Sequence, residues 1–296
     1  MDKTKTIDDL RHTIDEMSII MYNIYVEWKV SQRVPLTESE RMAENMYRMM
    51  IFKAKSIGLM SQGVVITPTQ KGIIPDQSTI YPVLRSMYEL LFLFRCIFVS
   101  SRNELERELL LNLWIIKGNN NLTQIPDKML DEESANKRES ASEENEVARG
   151  EVRRRIAELT MPQSAKNKIE NIIDPTNNLP TLKGFMLEHC EQSDNISGFS
   201  ALFFSDETMG AKLSGDKYIY SHYSAHSHPS YLGVKHFEEM YPNEEEDKYV
   251  QEILVHACKY LDRFMKEFCE YKDSYRSFYE EKENRISKLL SRISQD

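Results

Sequence analysis

The chain has 296 residues, 41% hydrophobic and 29% charged, so it can build a core and is not disordered as a whole. Its 10 glycines and 10 prolines are about half the usual share, which argues against sandwiches, barrels and glycine-rich phosphate-loop folds. With 38 basic and 47 acidic residues the net charge is −9, which disfavours extended binding along a nucleic-acid duplex but leaves room for one locally basic pocket.

From Ile7 the apolar residues Ile7, Leu10, Ile14, Met17, Met21, Ile24 and Trp28 step by three and four, which predicts a helix with a narrow seam that stops before Pro35. Thr37, with Glu40 three residues on, forms a capping box that opens a second helix. Its buried face is expected at Met42, Met46, Met49, Met50, Ala54 and Ile57. Gly63 to Pro75 breaks the period as an extended hairpin or a loop. Asp76 or Ser78 caps a helix over about Thr79 to Ser100, with Pro82 in its first turn. A further helix runs from Glu104 to Lys117 and ends on Gly118 and three asparagines.

Residues 131–146 carry almost no apolar side chain and read as a solvated helix or a mobile linker, the expected place of any subdomain boundary. Short helices follow at about Glu151–Leu159 and Gln163–Ile173, with another expected over Thr181 to Cys190. The arginines 149, 153, 154 and 155 read as a solvated helix face. Ser197 to Ser205 is apolar and ambiguous, and Lys217 to His228 reads as a helix stopped by Pro229. Val250, Leu254, Ala257, Leu261, Phe264, Phe268, Tyr271, Tyr275 and Phe278 continue the three-four spacing. Ile286, Leu289 and Ile293 extend it, so one or two long helices are expected, with a kink near Asp273-Ser274. The fold class expected is all-α, a single multi-helix bundle over residues 1–296 with long N- and C-terminal helices.

Cys96, Cys190, Cys258 and Cys269 include no C-x2-C pair, so free thiols in a reducing compartment are expected rather than a zinc ribbon. The N-terminal residues lack the apolar stretch of a signal peptide. The most apolar run, Leu90 to Val99, is far shorter than the ~20 residues a membrane span needs. A cytoplasmic location away from membranes follows as the expectation.

Two stretches place polar groups where apolar ones belong. Arg85 and Glu89 stand four apart in the helix YPVLRSMYELLFLFRCIF, hence on one face, and a charge there must be paired. They form either an internal ion pair that fixes helix register or an anion-recognising arginine oriented by its own carboxylate. In YIYSHYSAHSHPS, Tyr220, Ser224 and His228 form one polar stripe, with His222 and His226 beside it. Four of the seven histidines fall between 222 and 236. His222 and His226 at i, i+4 have the spacing of a metal chelate, but Tyr223 occupies the place where a helical metalloprotease carries glutamate. No nucleotide-binding glycine loop and no G-x-S-x-G elbow occurs.

Arg85-Ser86-x2-Glu89 together with Tyr220-x3-Ser224-x3-His228-x-Ser230 resembles a bacterial all-helical family catalogued as a domain of unknown function, several members of which sit in phage-defence neighbourhoods. The resemblance covers about Ile73 to Phe268. It implies a pocket in which the Arg/Glu helix faces the Tyr/Ser/His helix, and it implies no reaction. More distantly the chain resembles HEPN ribonucleases, helical and often dimeric enzymes with an arginine and a histidine four to six residues apart on one helix. This chain departs from that pattern, since its nearest spacing is Lys217-x4-His222 and Arg85 would have to come from another helix.

The leading expectation is a metal-independent endoribonuclease or phosphodiester-cleaving toxin of bacterial defence, acting on RNA or another phosphate-containing ligand, with no cofactor and as a homodimer. Arg85 would bind the phosphate and Glu89 would orient it. His226 or His228 would move the proton, and Tyr220 and Ser224 would position the substrate. The alternatives are a non-enzymatic scaffold with a buried polar network, and a metal-binding helical protein using His222 and His226.

Overall fold

The computed structural model describes residues 7–64, 76–123, 131–175, 184–191, 193, 195–228, 230–240 and 246–292. In chain order the elements are α1 (Ile7–Ser31), α2 (Glu38–Met60), α3 (Gln77–Phe94), a π-helical turn (Arg95–Val99), α4 (Glu104–Thr123), α5 (Glu132–Glu158), α6 (Gln163–Ile173), β1 (Gly184–His189) and β2 (Ile196–Leu202). Then come α7 (Glu207–Ser214), α8 (Ile219–Ser227), α9 (Tyr231–Met240), α10 (Glu246–Tyr271) and α11 (Asp273–Ser291). The fold is the all-α, multi-helix architecture that the periodicity predicts, with one small sheet added. The chain forms two compact units, Met1–Phe92 with Ser205–Asp296, and Leu93–Phe204.

In the first unit α1 packs on α2, α10 and α11. Its seam from Leu10 to Trp28 is buried at every predicted position except Ile7. The buried Tyr47 of α2 joins all four helices. Its hydroxyl lies 2.8 Å from the Met21 carbonyl and 2.6 Å from the Tyr275 hydroxyl, and its ring stands edge-on to Phe268 at 4.9 Å. A buried aromatic with a satisfied hydroxyl combines a large buried area with a fixed orientation. Thr37 makes the predicted capping box with Glu40. The predicted kink is a break at Lys272, whose extended backbone (φ −133°) separates α10 from α11. Met49 is a correction to the buried face of α2, because it is 46% exposed while Ile51 turns inward.

In the second unit α4 and α5 run antiparallel, with Glu108 beside Arg155 and Asn120 beside Asn145. Residues 132–146 lie within α5, which also absorbs the predicted short helix at 151–159 up to Glu158. Asp131 caps α5 by accepting from the Ser134 amide, and a stripe through Ala141, Asn145, Ala148 and Val152 is buried. Helix α4 does not end at Gly118 but continues to Thr123, because Asn119 and Asn120 hydrogen-bond to Glu144 and Asn145 of α5. Tertiary contact here overrides a weak local stop signal. The arginine run is also corrected, since Arg149 and Arg155 are buried. Arg149 donates to the Ile173 carbonyl at 3.0 Å, and Arg155 pairs with Glu108 and Glu158.

The helix expected at 181–190 is instead strand β1, paired antiparallel with β2. Phe185 and Leu187 point inward at a period of two, and Phe185 stacks on Phe199 of β2 at 6.1 Å. The ambiguous apolar run is therefore a strand. Helix α7 is too short and too poor in apolar residues to show a period, and α9 (YLGVKHFEEM) follows Pro229, where the sequence reading assigns no element. The predicted 79–100 helix divides into α3 and the π-helical turn, with Pro82 in the second turn of α3. The hairpin or loop expected at 63–75 lies outside the described residues from 65 on, as do Pro229 and Ile293. Among the described residues no helix is long and apolar enough to cross a membrane. No disulfide joins the four cysteines, and only Cys190 is not buried.

Candidate functional site

Helix α3 starts on Asp76, whose carboxylate accepts from the hydroxyls of Ser78 (2.6 Å) and Thr79. These bonds, with the backbone amides of the same two residues, hold the carboxyl below its usual range despite partial burial. From this fixed start, Tyr81, Arg85 and Glu89 recur every four residues and share a face. Helix α8 places Tyr220 and Ser224 on one of its faces. At His228 the chain leaves the helix in an extended conformation (φ −120°, ψ 154°), and its imidazole reaches Arg85.

The guanidinium of Arg85 is the hub. Nε donates to Glu89 Oε1 at 2.9 Å, Nη2 donates to the Tyr220 hydroxyl at 2.7 Å, and Nη1 lies 2.7 Å from His228 Nε2. The Tyr220 hydroxyl in turn donates to Glu89 Oε1 at 3.2 Å. A guanidinium has no lone pair to offer, so His228 Nε2 must be the acceptor. His228 is therefore neutral in this arrangement, with its proton on Nδ1. Burial raises the Tyr220 hydroxyl above its ordinary value, and the Glu89 carboxylate adds to that while Arg85 opposes it. Arg85 and Glu89 keep 21% and 25% of their side-chain surface open, so the group is reachable from solvent.

Lys53 of α2 borders the same group. Its Nζ donates to the Ser86 hydroxyl at 2.8 Å, and Ser86 follows Arg85 in the chain. Partial burial lowers the ammonium below its ordinary value, against the pull of Glu89.

The other face of α8 builds a second cluster, in which Tyr223 and His226 are buried while His222 and Glu252 stay partly open. His222 lies 3.5 Å from Glu252 Oε1 and 3.4 Å from the Tyr81 hydroxyl. The His226 ring packs on those of His222 and Tyr81 at 4.5 and 4.8 Å, and its Nδ1 bonds the His222 carbonyl at 2.8 Å. Burial raises the Glu252 carboxyl above its ordinary value. The Tyr223 hydroxyl lies 2.5 Å from His256 Nδ1 and 2.9 Å from the Tyr260 hydroxyl. Burial first, then the positive charge of Lys259, pushes His256 down to about 4, so it stays neutral.

Of the residues singled out in the sequence, Arg85, Glu89, Tyr220 and His228 meet directly. Ser224 shares the Tyr220 face of α8 one turn on. His226 takes its contacts in the second cluster, with Tyr81 and His222. Ser230 caps the next helix, accepting from the Gly233 amide at 3.0 Å. The side chain of His236 lies outside the described residues. Among the described residues no three or more His, Cys, Asp or Glu side chains are grouped to hold a metal ion. Sequence reasoning missed Lys53, Tyr81, Glu252 and His256. Lys53 has no local signal, since one lysine in MMIFKAKS on a helix flank looks like surface. The Glu252/His256 spacing of four on α10 was the one available clue.

Comparison with family models, with curated proteins and with solved structures returned no match.

Proposed function

We propose that the Arg85 group is the active site of a metal-independent endoribonuclease, or a related phosphodiester-cleaving toxin of bacterial defence, working in the cytoplasm. The observation that carries this reading is the guanidinium bonded at once to a carboxylate, a phenol and a neutral imidazole at a partly open surface. Glu89 and Tyr220 hold the fork in place from the Nε and Nη2 side. A phosphate oxygen competes for Nη1, and taking that donor frees the lone pair of His228 Nε2. The ribose 2′-hydroxyl then gives its proton to Nε2 as its oxygen attacks phosphorus. The P–O5′ bond breaks, and the 5′-oxygen leaves with the bond pair and takes a proton from water. A cyclic 2′,3′-phosphate and a 5′-hydroxyl end result, with Arg85 balancing charge on the phosphoryl oxygens. Tyr220 and Ser224 line the substrate's side of α8. Incubating the purified chain with single-stranded RNA and resolving the products tests the reading. Cleavage lost in both Arg85→Ala and His228→Ala supports it, and no RNA cleavage by the unaltered chain overturns it.

A non-enzymatic scaffold is the second reading. Its support is that Arg85 already has three partners without any ligand. Under it, His228→Ala lowers the melting temperature and changes no activity.

The homodimer is part of the same proposal. Ile19, Tyr22, Val26 and Val30 leave an apolar stripe exposed on α1, and Met49, Phe52 and Leu59 leave another on α2. A two-fold pairing that sets α1 of one copy on α2 of the other matches apolar to apolar.

A further inference from the structure

Lys53 and Arg85 come from different helices, α2 and α3, and both border Glu89. Glu89 Oε1 already accepts from Arg85 and from Tyr220. Among the described residues no carboxylate lies within ion-pair distance of Lys53, whose Nζ is held by the neutral Ser86 hydroxyl. His228 is neutral where it meets Arg85. Two positive charges therefore face one negative charge in a partly buried group, on a chain whose overall charge is −9. An excess cation withdrawn from water is unfavourable, and an incoming anion relieves it. The Ser86 bond also keeps the lysine's flexible stem turned toward the group, so little ordering remains to be done when an anion arrives.

We propose that Lys53 is the second cation of this site and that Lys53 and Arg85 together cradle one phosphate group, Arg85 through its planar fork and Lys53 as a point charge anchored by Ser86. The proposal rests on the reading of the Arg85 group as a phosphodiester site and gives that site its substrate charge. The net excess is a single positive charge, which matches the one negative charge of an internal phosphodiester. Lys53 is a positioning residue for the phosphate and takes no part in proton transfer.

The test uses the full chain and two probes, inorganic phosphate and a dinucleotide with one internal phosphodiester. Binding is followed by calorimetry and by thermal shift in low salt, for the unaltered chain, Lys53→Met and Lys53→Arg. Methionine keeps the packed stem and removes the charge, so unliganded melting temperature stays close to that of the parent. Both probes are expected to bind the parent, and Lys53→Met is expected to weaken binding about tenfold. It should also flatten the dependence of affinity on salt, while Lys53→Arg recovers most of the affinity. Tighter binding of the dinucleotide than of inorganic phosphate identifies the diester as the ligand, and the reverse order overturns the charge match. Binding unchanged in Lys53→Met, or absent in the parent, overturns the cradle. RNA cleavage is scored separately. A parent that binds phosphate through Lys53 but cleaves no RNA retains the cradle and loses the nuclease. A parent that cleaves, with Lys53→Met binding and cleaving equally well, retains the nuclease and loses the cradle.

Discussion

Two arginines of this protein, one in each compact unit, make opposite use of the same side chain. Arg155 of α5 keeps only 9% of its side chain exposed and lies among Glu108, Glu151 and Glu158. Burial works against its charge, but Glu158 and Glu108 outweigh that and raise its already high affinity for the proton. Arg85 of α3 is more open and has one carboxylate, one phenol and one neutral imidazole as partners. A guanidinium among several carboxylates has no charge left for a ligand and serves to hold helices together. A guanidinium among mostly neutral partners stays cationic as a group while its geometry is fixed. Partner chemistry, more than burial alone, separates a structural arginine from a candidate binding one.

The largest effect that would break this contrast is on cleavage. His228→Ala is expected to lower RNA turnover by about 10²–10⁴-fold, the usual worth of a positioned proton acceptor. Because His228 is exposed, the melting temperature should barely move. A variant that cleaves at the parental rate would put Arg85 in the same structural class as Arg155. Arg155→Ala should do the reverse. Removing it leaves Glu108 and its neighbours uncompensated, so we expect about 3 kcal/mol of destabilisation in a denaturant titration, with phosphate affinity unchanged.

Acidification sharpens the comparison through a different residue. The folded chain resists protonating His256 until about pH 4, whereas the unfolded chain accepts that proton near 6.5. Stability from this group is complete above pH 6.5 and is lost as pH falls from there toward 4, on the order of 2–3 kcal/mol. Comparing denaturant midpoints at pH 7 and pH 4.5 should show the loss in the parent and a smaller one in His256→Gln. Equal losses in the two proteins would remove His256 as the cause.

A smaller change should come from Tyr220→Phe. It deletes one neutral contact to Arg85 and one to Glu89, so about a fivefold loss of phosphate affinity is expected, in line with roughly 1 kcal/mol for a hydrogen bond. Phe52→Asp places a charge on the exposed α2 stripe. Under the proposed pairing, light scattering should find a dimer for the parent and a monomer for the variant with the helical spectrum unchanged, and a monomeric parent overturns the pairing.

The sequence alone determined the long helices of the first unit. In α1 and α10 each turn repeats the same apolar spacing, so many residues agree on one answer and a single exception such as Ile7 changes nothing. It also flagged Arg85, Glu89, Tyr220 and His228, because charge inside an apolar helix and clustered histidines are conspicuous in one dimension. Tertiary structure decided everything that depends on a distant partner. Helix α4 outruns Gly118 because α5 supplies side chains to its asparagines, and β1 exists because β2 completes its hydrogen bonds. Lys53 joins Ser86, and His226, from the pair beside the Tyr220/Ser224/His228 stripe, packs on Tyr81, through contacts across 33 residues in one case and well over a hundred in the other. Local periodicity reports which face of an element is buried. It carries no information about which other face, brought in from elsewhere in the chain, will cover it or complete a site.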